Sequence, residues 1–336
     1  MSVDNLYTLR NAQAMQLTIS ERGAALVSWL APDRDGRLGE VLLGYPDARD
    51  YIENRDFFGA IVGRWANRIK NGSFMLDGQL QQVVINDRGN HLHGGPRGFY
   101  QAHWQATETE TGLTFRLRSA HCDAGFSGNL EVVVHYQLLD DGSLTIDYEA
   151  VTDAPTAINL TAHPYFNLNG GSAGIGEQRL QINADYYMKL DDSGIAVDMT
   201  NVKGSVFDFR APATIGSRLA ATDPQLRMAG GFDHFYCARL PGTGPGATLR
   251  ELARVLDPVS GRQLQVSSTE AGVQFYSGNG LGGVPGRSGQ PYKAYDGFCL
   301  EAHACPDQIN GPYASEVILR PGQTYRQTTV YRLGVA

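Results

Sequence analysis

Two residues in this chain are placed for proton chemistry. Glu301 ends the short apolar run Phe298-Cys299-Leu300, bounded by Gly297 before it and Pro306 after it. Such a run reads as a buried strand, and a carboxyl at its mouth has its pKa raised by desolvation or lowered by neighbouring donors and cations. His163 lies in Asn159-Leu160-Thr161-Ala162-His163-Pro164-Tyr165-Phe166, among apolar and aromatic neighbours and before a proline that holds it extended. Imidazole is the side chain whose ordinary pKa lies nearest neutrality, so a general acid is the chemical reading. The same placements also suit a salt-bridged strand-end carboxylate and a satisfied core histidine.

Three further stretches put polar groups in apolar settings. In Gly63-Arg64-Trp65-Ala66-Asn67-Arg68-Ile69 two arginines flank small and apolar residues. A guanidinium held by packing is suited to gripping a sugar hydroxyl or an oxyanion. Asn90-His91-Leu92-His93-Gly94-Gly95 places two histidines two apart. On a strand both would face one way, as in metal-binding barrels, but no carboxylate follows. The glycine pair can instead turn His93 out of strand geometry and into a cleft. In Gly230-Gly231-Phe232-Asp233-His234-Phe235-Tyr236 a lone aspartate sits among aromatics, which suits an acceptor for sugar hydroxyls with ring faces for sugar C–H surfaces.

The elements that must position these groups are strands. Period two recurs in Met15/Leu17/Ile19, Leu113/Phe115/Leu117, Val132/Val134/Tyr136/Leu138, Leu144/Ile146/Tyr148 and Tyr325/Gln327/Thr329/Tyr331/Leu333. Asp77-Gly78 predicts a type I′ hairpin turn. Helical turns are expected only at Asp47–Glu53 and Thr214–Ala220. The glycine-rich Leu240–Ala247 and Gly278–Gln290 read as loops. The expected fold is all-β, a large antiparallel sandwich, with residues 1–336 as a single domain.

Composition narrows the classes. The chain has 336 residues, 40 glycines, 16 tyrosines and a net charge of −7. Mild acidity without a basic block argues against nucleic acid or an anionic membrane as partner. The N-terminus lacks the pattern of a signal peptide, and no apolar run approaches ~20 residues. Cys122, Cys237, Cys299 and Cys305 show no CxxC pairing, so reduced thiols in a cytoplasmic protein are expected.

The motifs GRWANRI, NHLHGG, NLTAHPYFNL, GGFDHFY, GVQFYSGN and GFCLEAHACPD, in that order, resemble the aldose 1-epimerase family of the galactose mutarotase type. The resemblance runs from GAALVSWLAPDRDG, near Gly23, to the C-terminal strands. It implies a β-supersandwich without metal or organic cofactor and a small-molecule aldose as substrate, a hexose such as galactose or glucose. It also implies Glu301 as catalytic base, His163 as catalytic acid, and Arg68, His93, Asp233, Asn67 and Gln274 as substrate contacts. Two departures stand beside the pair: Ala162 where the family commonly has Asn, and Ala302-His303 where Thr-Gln or Pro-Gln is usual. Both bear on sugar preference.

Exchange of anomers needs a proton taken from the C1 hydroxyl and one given to the ring oxygen. That requires an ionised Glu301 and a protonated His163 at the start, a pairing that mutual attraction would favour. Two other readings use the same residues. A non-catalytic sugar-binding protein would keep Arg68, His93 and Asp233 without turnover. A glycosidase would use Glu301 and Asp233 as its two carboxylates, ~5–9.5 Å apart.

Overall fold

Alternation of apolar and polar residues gives strands with one buried face, and in a computed structural model these strands pair antiparallel. The structure describes residues 4–242 and 248–336, so 243–247 of the glycine-rich Leu240–Ala247 stretch lie outside the described residues. Strands Gly112–Ser119, Leu130–Leu138 and Ser143–Thr152 lie side by side, and the C-terminal strand Tyr325–Val335 is inserted between Ser143–Thr152 and Arg262–Ser268. They form the middle of a nine-stranded sheet. A four-stranded sheet holds the N-terminal strands from Leu6–Arg10 to Leu38–Glu40.

The third large sheet carries the chemistry. Its order is Ala196–Asn201, Tyr186–Leu190, Asp233–Cys237, Gly272–Tyr276 and Cys299–His303. One of its faces packs Tyr236, Val273, Phe275, Leu300 and Ala302 into an apolar cluster shared with Trp29, Phe115, Tyr136 and Tyr331 of the other two sheets. Burying each such large side chain stabilises the fold by ~1.5–3 kcal/mol. Because side chains alternate, this anchoring sends Asp233, Gln274, Tyr276, Cys299 and Glu301 to the opposite face.

The local expectations hold in detail. Ser73–Leu76 and Gln79–Gln82 pair across Asp77 and Gly78, whose φ values of 49° and 78° are those of a type I′ turn. Helical turns form at Ala48–Ile52 and Ile215–Leu219. A further helix, Pro224–Ala229, was not expected, although its signals are plain. Asp223 caps it by accepting from the Gln225 and Leu226 amides, Pro224 opens it, and Gly230 closes it in the left-handed region. All four cysteines are free thiols, three of them buried. No helix among the described residues is long and apolar enough to cross a membrane.

Candidate active site

Glu301 is central in its strand, not at its mouth, and 2% exposed. Gln274 is its cross-strand partner, and Asp233 lies one strand further on, so three polar side chains share one sheet face. His163 comes from the segment after Thr161–Ala162, which pairs with Ile61–Val62. Its own backbone is fixed on both sides, its N–H donating to the Ala60 carbonyl and its C=O accepting from Gly59. The ring thereby reaches over the sheet, and His163 Nε2 stands 3.5 Å from Glu301 Oε1.

The paired bridge Arg68–Ile69 with His91–Leu92 supplies the facing wall. Strand geometry ends at Leu92, and His93 turns to a φ of 51°. Gly94 follows at φ 82°, where a Cβ would lie 1.8 Å from the Gly63 carbonyl oxygen, so only glycine allows this approach. Hence the two histidines of HLHGG part company. His91 turns into an apolar cluster against Phe126, its Nδ1 2.7 Å from the Val84 carbonyl, whereas His93 faces His163 with ring centroids 5.4 Å apart.

Arg68, His93, Asp233, Asn67, Gln274, His163 and Glu301 all line one cleft of about 410 Å³. Phe57, Arg88, Tyr165, Tyr276 and Asn279 line it too; sequence reading missed these five. Phe57 lies 4.8 Å from His93 and 5.6 Å from His163, ring centre to ring centre. The rings that line the cleft are therefore Phe57, Tyr165 and Tyr276, not those of GGFDHFY, since Phe232, Phe235 and Tyr236 are buried in the core. Their signal in the sequence was adjacency, because Tyr165 is two residues from His163 and Tyr276 two from Gln274. A larger cleft of about 590 Å³ opens beside Arg239 and Glu270 but contains none of the seven. The smaller one carries the convergent polar groups expected of a binding site.

The polar groups are tied to one another before any ligand arrives. Arg68 Nε donates to Asp87 Oδ2 at 2.7 Å, and its NH1 is 3.9 Å from Asp233 Oδ2. Gln274 Nε2 donates to Asp233 Oδ1 at 2.7 Å. Asn67 accepts the Arg68 amide on its side-chain oxygen at 2.7 Å and gives its own amide to His93 Nδ1 at 3.2 Å. Gln274 Oε1 and Glu301 Oε2 are buried acceptors with no hydrogen-bond partner in the protein, a costly arrangement that a ligand's hydroxyls would relieve. Arg64 belongs elsewhere. It is buried, and its guanidinium donates to Ser119 Oγ and to the Ser119, Ala120 and Ser127 carbonyls, so it braces a loop and grips no ligand.

Burial also corrects the expected protonation. Desolvation pushes the Glu301 carboxyl well above its ordinary range, Asp233 adding to the rise and Arg68 opposing it. Desolvation likewise lowers His163 to about 4. Burial thus favours the neutral form of each group, against the mutual attraction that a separation of 3.5 Å would give the ion pair. His93 is also held neutral, chiefly by burial and then by His163 and Arg68. Its Nδ1 accepts the Asn67 amide, so its proton sits on Nε2 as a donor. His93, His163 and Glu301 are the grouping whose ligand atoms come within 4.8 Å of one another. A metal would need a bare His93 nitrogen, which the Asn67 amide and the Nε2 proton together deny.

The residues of the two departures do not line the cleft. Ala162 and Ala302 face the apolar cluster, and His303 stacks on Phe235 with centroids 5.1 Å apart.

The family model for aldose 1-epimerases matches residues 5–332. The chain belongs to the aldose 1-epimerase family. It is 39% identical to the aldose 1-epimerase of Escherichia coli K12 over 97% of this chain and 94% of that one. It is 37% identical to the galactose mutarotase of Homo sapiens over 96% and 92%. Among solved structures, an aldose epimerase homologue from C. elegans superposes with a TM-score of 0.89 at 26% identity, covering 99% of both chains. The galactose 1-epimerase of Lactobacillus acidophilus does so with 0.84 at 28% identity, covering 98% of this chain and 94% of that one. The fold is that of the galactose mutarotases, and the family is one of isomerases.

Proposed function

We propose that this protein, acting as one domain, interconverts the α and β anomers of a free aldohexose such as galactose or glucose by acid/base ring opening. The observation that carries the reading is the buried Glu301–His163 pair, 3.5 Å apart on the floor of a cleft lined by Arg68, His93 and Asp233. In the forward step Glu301 takes the C1 hydroxyl proton while His163 Nε2 gives a proton to the ring oxygen. The C1–O5 bond breaks, the aldehyde turns about C1–C2, and the reverse transfers close the other anomer. Each positioned acid or base supplies ~10²–10⁴-fold in rate.

The neutral pair and the ion pair hold the same number of protons. They differ by one transfer between Oε1 and Nε2. Sugar hydroxyls entering the cleft supply the hydrogen bonds that an ionised Glu301 lacks in the empty site, which shifts the balance toward carboxylate and imidazolium. His93 Nε2–H and Arg68 are donors toward sugar oxygens, and Asp233 and the Gln274 carbonyl are acceptors from hydroxyls. Asn67 holds His93, and Phe57, Tyr165 and Tyr276 offer faces to the ring. A non-catalytic sugar-binding role is not favoured, because binding alone has no use for a desolvated acid–base pair.

Polarimetry of freshly dissolved α-galactose, α-glucose and a small aldose panel tests the reading. Faster approach to equilibrium rotation than in buffer is expected for at least one sugar, with the rate unchanged by chelator. No acceleration for any aldose would overturn it.

A further inference from the structure

Proton exchange at His163 must occur on Nε2, the nitrogen that faces Glu301. An imidazole that works through Nε2 has to keep the proton on Nδ1 throughout the cycle, whether the ring is neutral or charged. What holds that proton therefore matters to the rate. The neighbour of Nδ1 in the structure is a thiol: Cys299 Sγ lies 3.5 Å away, within reach of a hydrogen bond to sulfur. Both side chains are buried. The carbonyl of His163 itself is a second acceptor beside the ring.

Cys299 reaches this point through strand alternation. It precedes Glu301 by two residues on the same strand and so points to the same sheet face. One strand thus carries the carboxyl that meets Nε2 and the sulfur that meets Nδ1, and the imidazole is gripped at both nitrogens from a single element. We propose that Cys299 is a positioning residue that accepts the Nδ1–H of His163, thereby fixing the tautomer that leaves Nε2 as the nitrogen that exchanges protons with Glu301 and substrate. The inference rests on the reading of Glu301 and His163 as the acid–base pair and adds a member that does not touch the sugar. Burial and the neighbouring Glu301 and Asp233 keep the thiol protonated, so it is not a nucleophile, and in this assignment its sulfur takes the weak acceptor's part opposite Nδ1–H.

The test pairs kinetics with a direct view of the ring. Cys299→Ser keeps an acceptor and should retain kcat within about twofold. Cys299→Val fills the space without an acceptor and should lower kcat about three- to tenfold with little change in KM, the fold-change expected for one modest hydrogen bond. Cys299→Ala should do the same, which separates the hydrogen bond from packing. Nitrogen-15 spectra of the labelled His163 ring near pH 7 should show Nδ1 protonated and Nε2 bare in the wild type and the Ser variant. The Val variant should show a mixture. A wild-type ring protonated on Nε2 would overturn the proposal, and so would a Val variant with unchanged kcat and unchanged tautomer. If His163→Asn kept its turnover, the acid–base reading would fall, whereas the tautomer in wild type and Val variant would still decide the sulfur contact.

Discussion

Replacing Glu301 by glutamine should move activity and stability in opposite directions. The substitution keeps length and volume, and it breaks no bond inside the protein: Oε2 has no partner and Oε1 faces only His163 at 3.5 Å. Glutamine cannot take the C1 hydroxyl proton, so kcat should fall by ~10²–10⁴-fold, equivalent to ~2.7–5.5 kcal/mol of barrier. KM should change little, because Arg68, Asp233 and Gln274 hold one another without Glu301. Stability follows from the raised carboxyl. A group whose folded pKa lies above its unfolded one favours the fold at low pH and loses that advantage as pH rises past ~4.3. At pH 7–8 Glu301 therefore costs ~1.4 kcal/mol for every unit by which its pKa is raised, a cost glutamine does not carry. The variant should melt higher than wild type at pH 8, by ~1–2 °C per kcal/mol recovered, and the gap should close towards pH 4.5. Polarimetry with buffer rates subtracted and thermal melts across pH measure the two effects. A folded variant with near-wild-type mutarotation would place the base elsewhere. A variant no more stable at pH 8 would refute the desolvation argument.

His163→Asn should lower kcat as Glu301→Gln does, and the double variant should lose far less than the product of the single losses if both act in one ring opening. Asp233→Asn and Arg68→Ala should raise KM and blur discrimination between sugars differing at one hydroxyl, measured as kcat/KM ratios across the aldose panel. Acid should destabilise the fold well above the carboxylate range. His91, His163, His234 and His303 are each lowered to about 4 by burial, and His93 is held well below its ordinary value. Each regains a pKa of ~6.5 when unfolded, so its contribution is present above ~6.5 and lost as pH falls towards 4. Glu301 and Glu270, the latter raised to about 7, act in the opposite sense. The five histidines outnumber the two raised carboxyls, so unfolding takes up protons and stability should fall with acidification between pH 7 and pH 5; urea titrations equally stable at pH 7 and pH 5 would contradict it.

Much of this was legible in the chain. Period two marked the long strands because one face of each is buried against a shared core, and that same alternation brought Glu301 and Gln274 to one face. Seven residues scattered from Asn67 to Glu301 line one cleft. What stayed hidden depends on tertiary surroundings. Arg64 and Arg68 are alike in sequence, yet one braces a loop and the other enters the cleft, since only the fold decides which acceptors each meets. The pKa shifts of Glu301 and His163 turned on depth of burial, which no local pattern records. Asp87, which holds Arg68, sits in an unremarkable turn. The Pro224–Ala229 helix was missed for a different reason: at six residues it is too short to show a period, and only its caps announce it.

Under the proposed function, the linkage of Arg68, Asp87, Asp233 and Gln274 bears on how such a site can change its sugar. Each member meets part of its neighbour's need, so replacing one alone leaves a charge or a donor without its partner, at most cost where the stranded group is the buried Arg68 or Gln274. Drift toward a new epimer by single steps at these positions would pass through weakened intermediates. Coordinated replacement of Asp233 with Gln274, or of Arg68 with Asp87, offers a passable route, and laboratory libraries aimed at altered hexose preference should vary those positions as pairs.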